Sequence, residues 1–404
     1  EHTEYEQDSV YGKLNYELGD TSRLNFAYSY DEGRNADPVS NYPDFWDDIY
    51  RRRTYQRLLF ETSPTESLDL ALEGRHHRFY SWIDDVYSDH REIYYDYIDE
   101  TWGLSARMNY DISDANRFTL GFDEDWGRYH WVSEVENVDL EGKTRNWATY
   151  ANDTFTVGNF SFNAGIRYDD NSDFGSEFSP SGGLVYRIPS YNALVRTQVA
   201  KGYSAPRADW VHLPVVGNPD LGPEKSLNYQ LGGEVHPVKF LRLELNLFRA
   251  DITDFIRWNE DAEKYENIAE VTRQGIEGSV SANFDFGLTL SFSGSYVDVR
   301  DEQTNEVIKD IPRRLYNLSA SYTHKQMAHS VVGKYVYNYS SYPETRDKVF
   351  IFDYLLKASL PFLEQYGKPT LFGAVHNLTN STYIYRYVFP KPDRWFEGGV
   401  RFEF

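Results

Sequence analysis

The sequence predicts an all-β protein, an antiparallel β-barrel that crosses a membrane with its strands. Three observations lead there. Apolar and polar residues alternate with period two from end to end, with no convincing amphipathic helix. Many alternating runs reach about ten residues or more, as in Ala269 to Asp285, whereas soluble sandwich strands run about five or six. A lipid-spanning strand needs roughly 9–11. Finally, the connections between runs are alternately short and long, the plan of an outer-membrane barrel with short periplasmic turns and long extracellular loops. A soluble sandwich has no reason to segregate loop length in this way.

The alternation begins with Val10, Gly12, Leu14, Tyr16 and Leu18 against Tyr11, Lys13, Asn15 and Glu17. About 19 such segments follow one another. The short turns are Gly19-Asp20-Thr21, Ser63 to Glu66, Ser113-Asp114-Ala115, Gly158-Asn159, Pro189-Ser190, Pro237-Val238, Phe286-Gly287, His324-Lys325-Gln326 and Glu364 to Lys368. The long connections fall near 34–50, 82–96, 132–144, 169–177, 203–226, 256–268, 300–312, 338–349 and 380–393. Arg167, Arg242, Glu244 and Glu277 occupy the polar phase of their strands. An arginine facing lipid at the midplane costs roughly 2–4 kcal/mol, so all four are expected to face the lumen.

Composition agrees and excludes. Aromatic residues make up 17% of the chain, more than a soluble core needs, and there is no cysteine for a disulfide framework. A net charge of −22 argues against nucleic acid as a partner. A mean hydropathy of −0.65 suits a soluble protein, but barrels escape that test because only alternate strand residues face lipid. No apolar run approaches the roughly 18 residues of a membrane helix. The chain has no Gly-rich phosphate loop, no Gly-x-Ser-x-Gly elbow and no His-Glu-x-x-His, but acid and His residues are plentiful, and the expectation that it is not an enzyme comes from the resemblance its proline-rich stretch carries.

One stretch breaks the alternation. Between Gly202 and Ser226, Pro206, Pro214, Pro219 and Pro223 forbid both a regular helix and a central strand. Its elements Tyr203-Ser204-Ala205-Pro206, Asn218-Pro219-Asp220-Leu221 and Pro223-Glu224 resemble an ordered segment of TonB-dependent outer-membrane receptors. Further elements extend the likeness: Gly165 to Asp169, Phe178 to Tyr186, Asp254-Phe255-Ile256, Glu266-Asn267-Ile268, Gly275 to Gly278, Ile311-Pro312-Arg313, Asn377-Leu378, Tyr383 and Pro392-Asp393-Arg394. Asp393 stands where the family has glycine. The match is clear over about 160–404 and weak before it, and lies nearest cobalamin and catecholate-siderophore receptors. The resemblance implies a bacterial outer-membrane receptor of the 22-stranded type. Such a receptor captures a scarce metal chelate (ferric siderophore or cobalamin, less readily haem) and imports it with energy from TonB through a plug. Its other partners are outer-membrane lipid and lipopolysaccharide. A passive diffusion porin is the alternative.

Within this frame, Trp102, Tyr150, Tyr203, Phe248 and Trp395 near strand ends are expected to form interfacial girdles. Tyr42, Trp46, Trp82, Tyr94, Tyr95, Trp131, Trp210, Tyr339 and Tyr342 fall in the long loops. There they either bind a planar or apolar ligand face or pack small loop cores. Asp44, Asp47 and Asp48 form one acidic cluster, and Asp84, Asp85, Asp89, Glu92, Asp96, Asp99 and Glu100 another. No cofactor is required; carboxylates at this density suit Ca²⁺ in extracellular loops, as in the cobalamin receptor, or simply a solvated acidic rim. His212 lies where haem receptors of the family carry a ligating histidine, although a plain loop histidine fits the short spacing. His76-His77 is expected to line the lumen.

Parity raises one more expectation. Bacterial single-chain barrels have even strand numbers with both ends periplasmic, so about 19 strands leave an odd number missing, and three complete 22. The plug and the first strands are therefore expected outside residues 1–404, on a separate polypeptide or removed by cleavage. A 19-stranded barrel closed by one parallel pair is the rival.

Overall fold

The structure is a computed structural model that describes residues 5–38, 45–87, 91–135, 137–212, 217–259, 262–309, 311–338, 348–361, 369–381, 384–386, 389–390 and 393–402. It is almost entirely strand. In order these are β1 (Tyr5–Glu17), β2 (Ser22–Pro38), β3 (Phe45–Thr65), β4 (Leu68–Tyr87), β5 (Arg91–Ser113), β6 (Asn116–Ser133), β7 (Val138–Val157) and β8 (Phe160–Asn171). Then come β9 (Gly175–Ile188), β10 (Ala193–Ser204), helix α1 (Ala208–His212), β11 (Glu224–Val238), β12 (Leu241–Asn259), β13 (Lys264–Asn283), β14 (Leu288–Asp301) and β15 (Pro312–His324). The last are β16 (Met327–Asn338), β17 (Lys348–Ser359), β18 (Thr370–His376), β19 (Ile384–Arg386), β20 (Phe389–Pro390) and β21 (Trp395–Arg401). Nineteen strands belong to one sheet, and β19 and β20 form a separate ribbon. The chain divides into two compact units. The first holds Glu1–Gly183, Ala200–Ser226 and Thr253–Ile268; the second holds Leu184–Val199, Leu227–Ile252 and Ala269–Phe404.

In the first unit, β1 to β8 pair antiparallel in sequence order. Register sorts their side chains into two faces. Phe26, Leu58, Leu72, Leu120, Phe122, Phe162 and Ile166 lie exposed on the apolar one. The other is polar and cross-linked. Arg75 grips Asp125 at 2.7 and 2.8 Å. Arg57 meets Glu73 at 2.8 Å, and Arg167 bridges Asp123 at 2.8 Å and Asp169 at 3.0 Å. Gly121 serves this face: a Cβ there would lie 2.0 Å from the Tyr150 ring, which covers the strand in its place.

In the second unit, β13 to β18 and then β21 pair in the same antiparallel way. Leu245, Leu247, Ile276, Val280, Phe292, Leu318, Val331 and Phe350 are exposed on its apolar face. On the polar face, Arg242 meets Glu234 at 2.8 Å and Glu244 at 3.2 Å. A cleft of about 340 Å³ there is lined by Arg196, Glu244, Asn246, Glu277 and Asn317, among others. All four residues expected in the polar phase, Arg167, Arg242, Glu244 and Glu277, occupy it. Back in the first unit, Val211, Leu221 and Ile256 form a small buried apolar cluster, with Trp210 and Tyr265 packed against it. Such a distribution suits a protein whose apolar side chains face lipid instead of a core.

The short turns fall close to where the sequence places them, except that the β11–β12 turn lies at 239–240 rather than Pro237-Val238 and residues 364–368 lie outside the described set. The long connections differ more. β3, β4 and β5 run 21, 20 and 23 residues, far beyond the roughly 9–11 that span lipid. Trp46, Trp82, Tyr94, Tyr95 and Trp131 are therefore strand residues, not loop residues. Of the expected girdle, Trp102 is 55% exposed on the apolar face. Tyr150 lies under Arg167, Tyr203 beside Asp169, Phe248 under Arg273 and Trp395 against His376, all on polar faces. Nearness to a strand end does not set the face; phase does.

Gly287 in the β13–β14 turn has φ +92°, and a Cβ there would meet the Thr323 carbonyl oxygen at 2.2 Å. Gly287→Ala is expected to cost about 1–3 kcal/mol through backbone strain and overlap. Urea titration of heat-modifiable electrophoretic migration checks it; an unchanged midpoint would contradict the turn geometry.

Candidate functional site

At the long-connection end of the first unit, the polar face becomes aromatic. A cross-strand row runs Gly33, Arg51, Ser81, Tyr97, Trp131. The next row toward the short turns is Asp31, Arg53, Phe79, Asp99, Tyr129. Strand pairing holds these side chains as neighbours on rigid backbone. Trp131 lies 5.5 Å from Tyr95 and 5.7 Å from Tyr97, ring centre to ring centre. Phe79 stands edge-on to Tyr97 at 6.2 Å, and the Arg53 guanidinium sits 5.2 Å over Phe79.

Three polar features of this face lack partners among the described residues. Arg51 is exposed and makes no hydrogen bond or ion pair. Ser81 Oγ, on a residue 1% exposed, has no hydrogen-bond partner, and neither has the buried Trp131 Nε1. A buried donor left unmade costs about 1–3 kcal/mol, so such groups mark a place where a ligand or water completes the structure. Burial, reinforced by the Asp99 charge, pushes the Tyr97 phenol well above its ordinary pKa. It therefore stays protonated and donates to Asp99 Oδ2 at 3.3 Å.

The proline-rich stretch lays α1 across this face. His212 stacks on Tyr129 at 5.8 Å, and its Nε2 lies 3.6 Å from Asp173 Oδ2. Trp210 stacks on Tyr265 at 4.4 Å. The stretch itself is tied down by a strap of side-chain bonds to backbone. Asn267 Oδ1 accepts from Gly222 N–H at 2.8 Å, while Asn267 Nδ2 donates to the Gly222 and Asp254 carbonyls at 3.0 and 2.6 Å. Asn218 Nδ2 donates to Tyr265 O at 2.8 Å, and Glu224 Oε1 accepts from Ile256 N–H at 2.8 Å. Leu221 is buried beneath. The Asn218–Leu221, Glu224, Ile256 and Asn267 elements thus form one interlocked structural device.

The structure brings Tyr95, Trp131 and His212 onto one face, with Tyr94 bulged between Tyr95 and Ile93 and 40% exposed. Trp82 does not join them. It lies on the opposite face, stacked on Tyr50 at 4.1 Å. Trp210 supports α1 through Tyr265. Trp46 lies in β3 opposite Pro38 and Val86. Tyr42, Tyr339, Tyr342 and Asp44 lie outside the described residues. Asp47 and Asp48 are consecutive strand residues on opposite faces, and Arg34 holds Asp48 with bonds of 2.8 and 2.6 Å. Among the described residues no group of three or more His, Asp or Glu side chains is arranged to hold a metal ion. His76 and His77 divide: His77 takes the polar face opposite Tyr55, while His76 stacks on Trp102 and bonds Glu100 on the other. Arg51, Arg53, Phe79, Ser81, Tyr97 and Tyr129 were not singled out from sequence. The available signal was the run Arg51-Arg52-Arg53 in an acidic chain, whose alternation sends two guanidiniums to the same face.

Asn267→Ala removes three bonds at once and is expected to loosen the strap by about 2–4 kcal/mol while leaving the strands folded. Hydrogen exchange at the Gly222 amide should accelerate at least about tenfold. Unchanged exchange there, with heat-modifiable migration intact, would show that the strap does not hold this loop.

The comparisons with known proteins agree with this architecture. Among solved structures, the siderophore receptor PirA from Acinetobacter baumannii superposes with a TM-score of 0.80 at 16% identity, covering 99% of this chain and 71% of its own. The ferric citrate transporter FecA gives 0.80 at 12% identity, covering 99% and 70%, and the copper transporter OprC 0.79 at 12%, covering 99% and 75%. At such identities the likeness shows the fold. The family description "TonB dependent receptor-like, beta-barrel" matches residues 1–378, nearly the whole chain. An all-strand architecture with one face apolar and one polar, and this match, place the chain in the outer membrane among transport receptors rather than enzymes: it belongs to the TonB-dependent receptor β-barrel family.

Proposed function

We propose that the chain is the barrel of a receptor importing a scarce metal chelate, and that the chelate docks on the aromatic lumen face carrying Arg51, Arg53, Tyr97 and Trp131. One observation carries the reading: unpartnered Arg51 beside unsatisfied Ser81 Oγ and Trp131 Nε1, in a wall of aromatic rings. Guanidinium groups recognise carboxylate-like oxygens with a planar fork, and ring faces hold planar groups. The preferred ligand is therefore anionic, rich in oxygen acceptors and partly planar, which fits a ferric siderophore better than cobalamin or haem. Siderophore and ferric citrate receptors share the fold. Energy from TonB, transmitted by a plug in the same polypeptide or a separate one, belongs to this reading, as does contact with outer-membrane lipid and lipopolysaccharide.

A diffusion porin needs none of these features, and the test separates the two. Replacing Arg51 and Arg53 together by alanine, or Trp131 by alanine, is expected to weaken chelate binding by at least about tenfold, as hot-spot Arg and Trp residues do. Growth of an iron-starved strain on single chelates, with titration of the purified receptor, reads it. Wild-type affinity in both variants would sink this site. Liposome swelling with simple sugars at porin rates would sink the receptor reading itself.

A further inference from the structure

We propose that Tyr55 and His77, neighbours on the lumen face of the first unit, ligate the metal of an incoming chelate that leaves two adjacent coordination positions open. The proposal rests on the chelate reading and deepens it by naming the class of cargo, a tetradentate ferric complex.

Tyr55 and His77 are direct cross-strand partners on β3 and β4. Their row runs Ser29, Tyr55, His77, Thr101, Gly127, Thr144. It lies one step toward the short turns from the row of Arg53 and Phe79. Tyr55 is thus about 7 Å along the strand from Arg53 and about 14 Å from Arg51. Beyond it the wall is closed by ion pairs, Arg57 with Glu73 and Arg75 with Asp125. In the Tyr55–His77 row itself, no side chain makes a hydrogen bond, ion pair or ring contact among the described residues. Both rings are half-buried on paired backbone, and the rest of their row is short: Ser29, Thr101, Gly127 and Thr144. The ladder that ties Arg57, Glu73, Arg75 and Asp125 together leaves this phenol and this imidazole unused.

A phenol oxygen and an imidazole nitrogen are both donors that iron accepts from proteins. Two side chains do not hold a bare ion, and among the described residues no group of three or more His, Asp or Glu does so either. The remaining donors must arrive with the cargo. Direct cross-strand partners have Cβ atoms about 4.5–5.5 Å apart, so the pair supplies adjacent positions of an octahedron, not opposite ones. A porphyrin leaves open only its two opposite axial positions and does not fit. A hexadentate chelate leaves none. A tetradentate ferric chelate with two adjacent waters fits both donors.

On binding, the Tyr55 oxygen and a neutral His77 nitrogen each form a bond to iron, and each displaces one water. Tyr55 gives up its phenol proton to solvent; the iron stays ferric and no electron moves. Arg51 and Arg53 stand on the long-connection side of the pair, where an anionic chelate is met first.

The test uses the full-length receptor in detergent, as wild type, Tyr55→Phe, His77→Gln and Arg51→Ala/Arg53→Ala. The probes are ferric nitrilotriacetate, which keeps two adjacent waters, and ferric ethylenediaminetetraacetate, whose ligand is hexadentate. The second carries more negative charge, so attraction to arginine alone favours it. Tryptophan fluorescence reads binding, and resonance Raman reads iron-bound tyrosinate. Wild type should prefer the nitrilotriacetate complex, show tyrosinate bands and release about one proton per complex. Even the outer partners of metal ligands are worth about 10–100-fold, so each single variant should bind this complex at least about tenfold more weakly. Binding of the hexadentate complex should stay within about twofold in both, and Tyr55→Phe should abolish the bands and the proton release. The arginine variant should weaken both complexes. Losses confined to the arginine variant overturn the ligation and leave the chelate reading standing. Losses confined to Tyr55→Phe and His77→Gln uphold the ligation and sink the arginine site. Wild-type protein that binds neither complex, or binds without tyrosinate bands, overturns the ligation. That last readout needs no variant, so it decides even where a substitution disturbs folding.

Discussion

Hydrocarbon offers a backbone no hydrogen bonds, and the rest of the structure depends on that constraint. Each unpaired N–H or C=O in the bilayer core costs several kcal/mol, so the chain must satisfy itself strand against strand. Pairing then imposes period two, and period two divides every strand between two solvents. Arg167 and Ile166 are adjacent in sequence yet answer to opposite requirements. The first holds Asp123 and Asp169, and the second lies 48% exposed on the apolar face. Aliphatic exposure that would be a liability in a soluble protein is here the surface the bilayer covers.

Beyond the membrane the constraint relaxes, but the pairing does not stop. β3 to β7 continue as paired strands well past the lipid-spanning length. With water on one side and other side chains on the other, both faces there accept aromatic and charged residues. Trp82 and Trp131 illustrate it, one stacked on Tyr50 and the other beside Tyr95 on the opposite face. A rigid ladder then does what a flexible loop does poorly: it fixes Arg51, Ser81, Tyr97 and Trp131 in one row. The proline-rich stretch reaches the same end by other means. Its prolines limit the unfolded ensemble, and Asn218, Glu224 and Asn267 replace the missing ladder with side-chain bonds to backbone.

The same reasoning explains how far the sequence could be read. Strand number, short turns and the lumen orientation of Arg242 and Glu277 were legible because alternation is strong where lipid enforces it. Trp82, Tyr94, Tyr95 and Trp131 were read as loop residues because alternation fades once neither face is lipid, although hydrogen bonding persists. Tyr150 and Phe248 were misplaced for a related reason. Closeness to a strand end suggested the interface, while their phase, set by neighbours such as Gly121 and Arg273, directs them to the polar side. Arg51 and Ser81 were invisible because their meaning depends on cross-strand register, which a single sequence does not state. The resemblance carried by Asn218, Glu224 and Asn267 was legible, but its reason, an interlocked strap, was not.

Charge placement follows from solvation in the same way. An acidic chain can keep a guanidinium in two ways. Where Arg128 and Arg145 stand, a carboxylate 8–12% exposed lies beneath the arginine, so the pair is locally neutral and its head reaches water. Removing such an arginine would strand a poorly solvated carboxylate, which makes the pair structural. Arg51, Arg314 and Lys348 have no such carboxylate among the described residues, and Arg314 and Lys348 each lie beside the Tyr337 ring. An aromatic neighbour orients a cation without discharging it. The positive potential therefore persists at the surface, available to an anion that arrives from outside. Structural arginines are those already neutralised by the fold, and recognition falls to those the fold leaves charged.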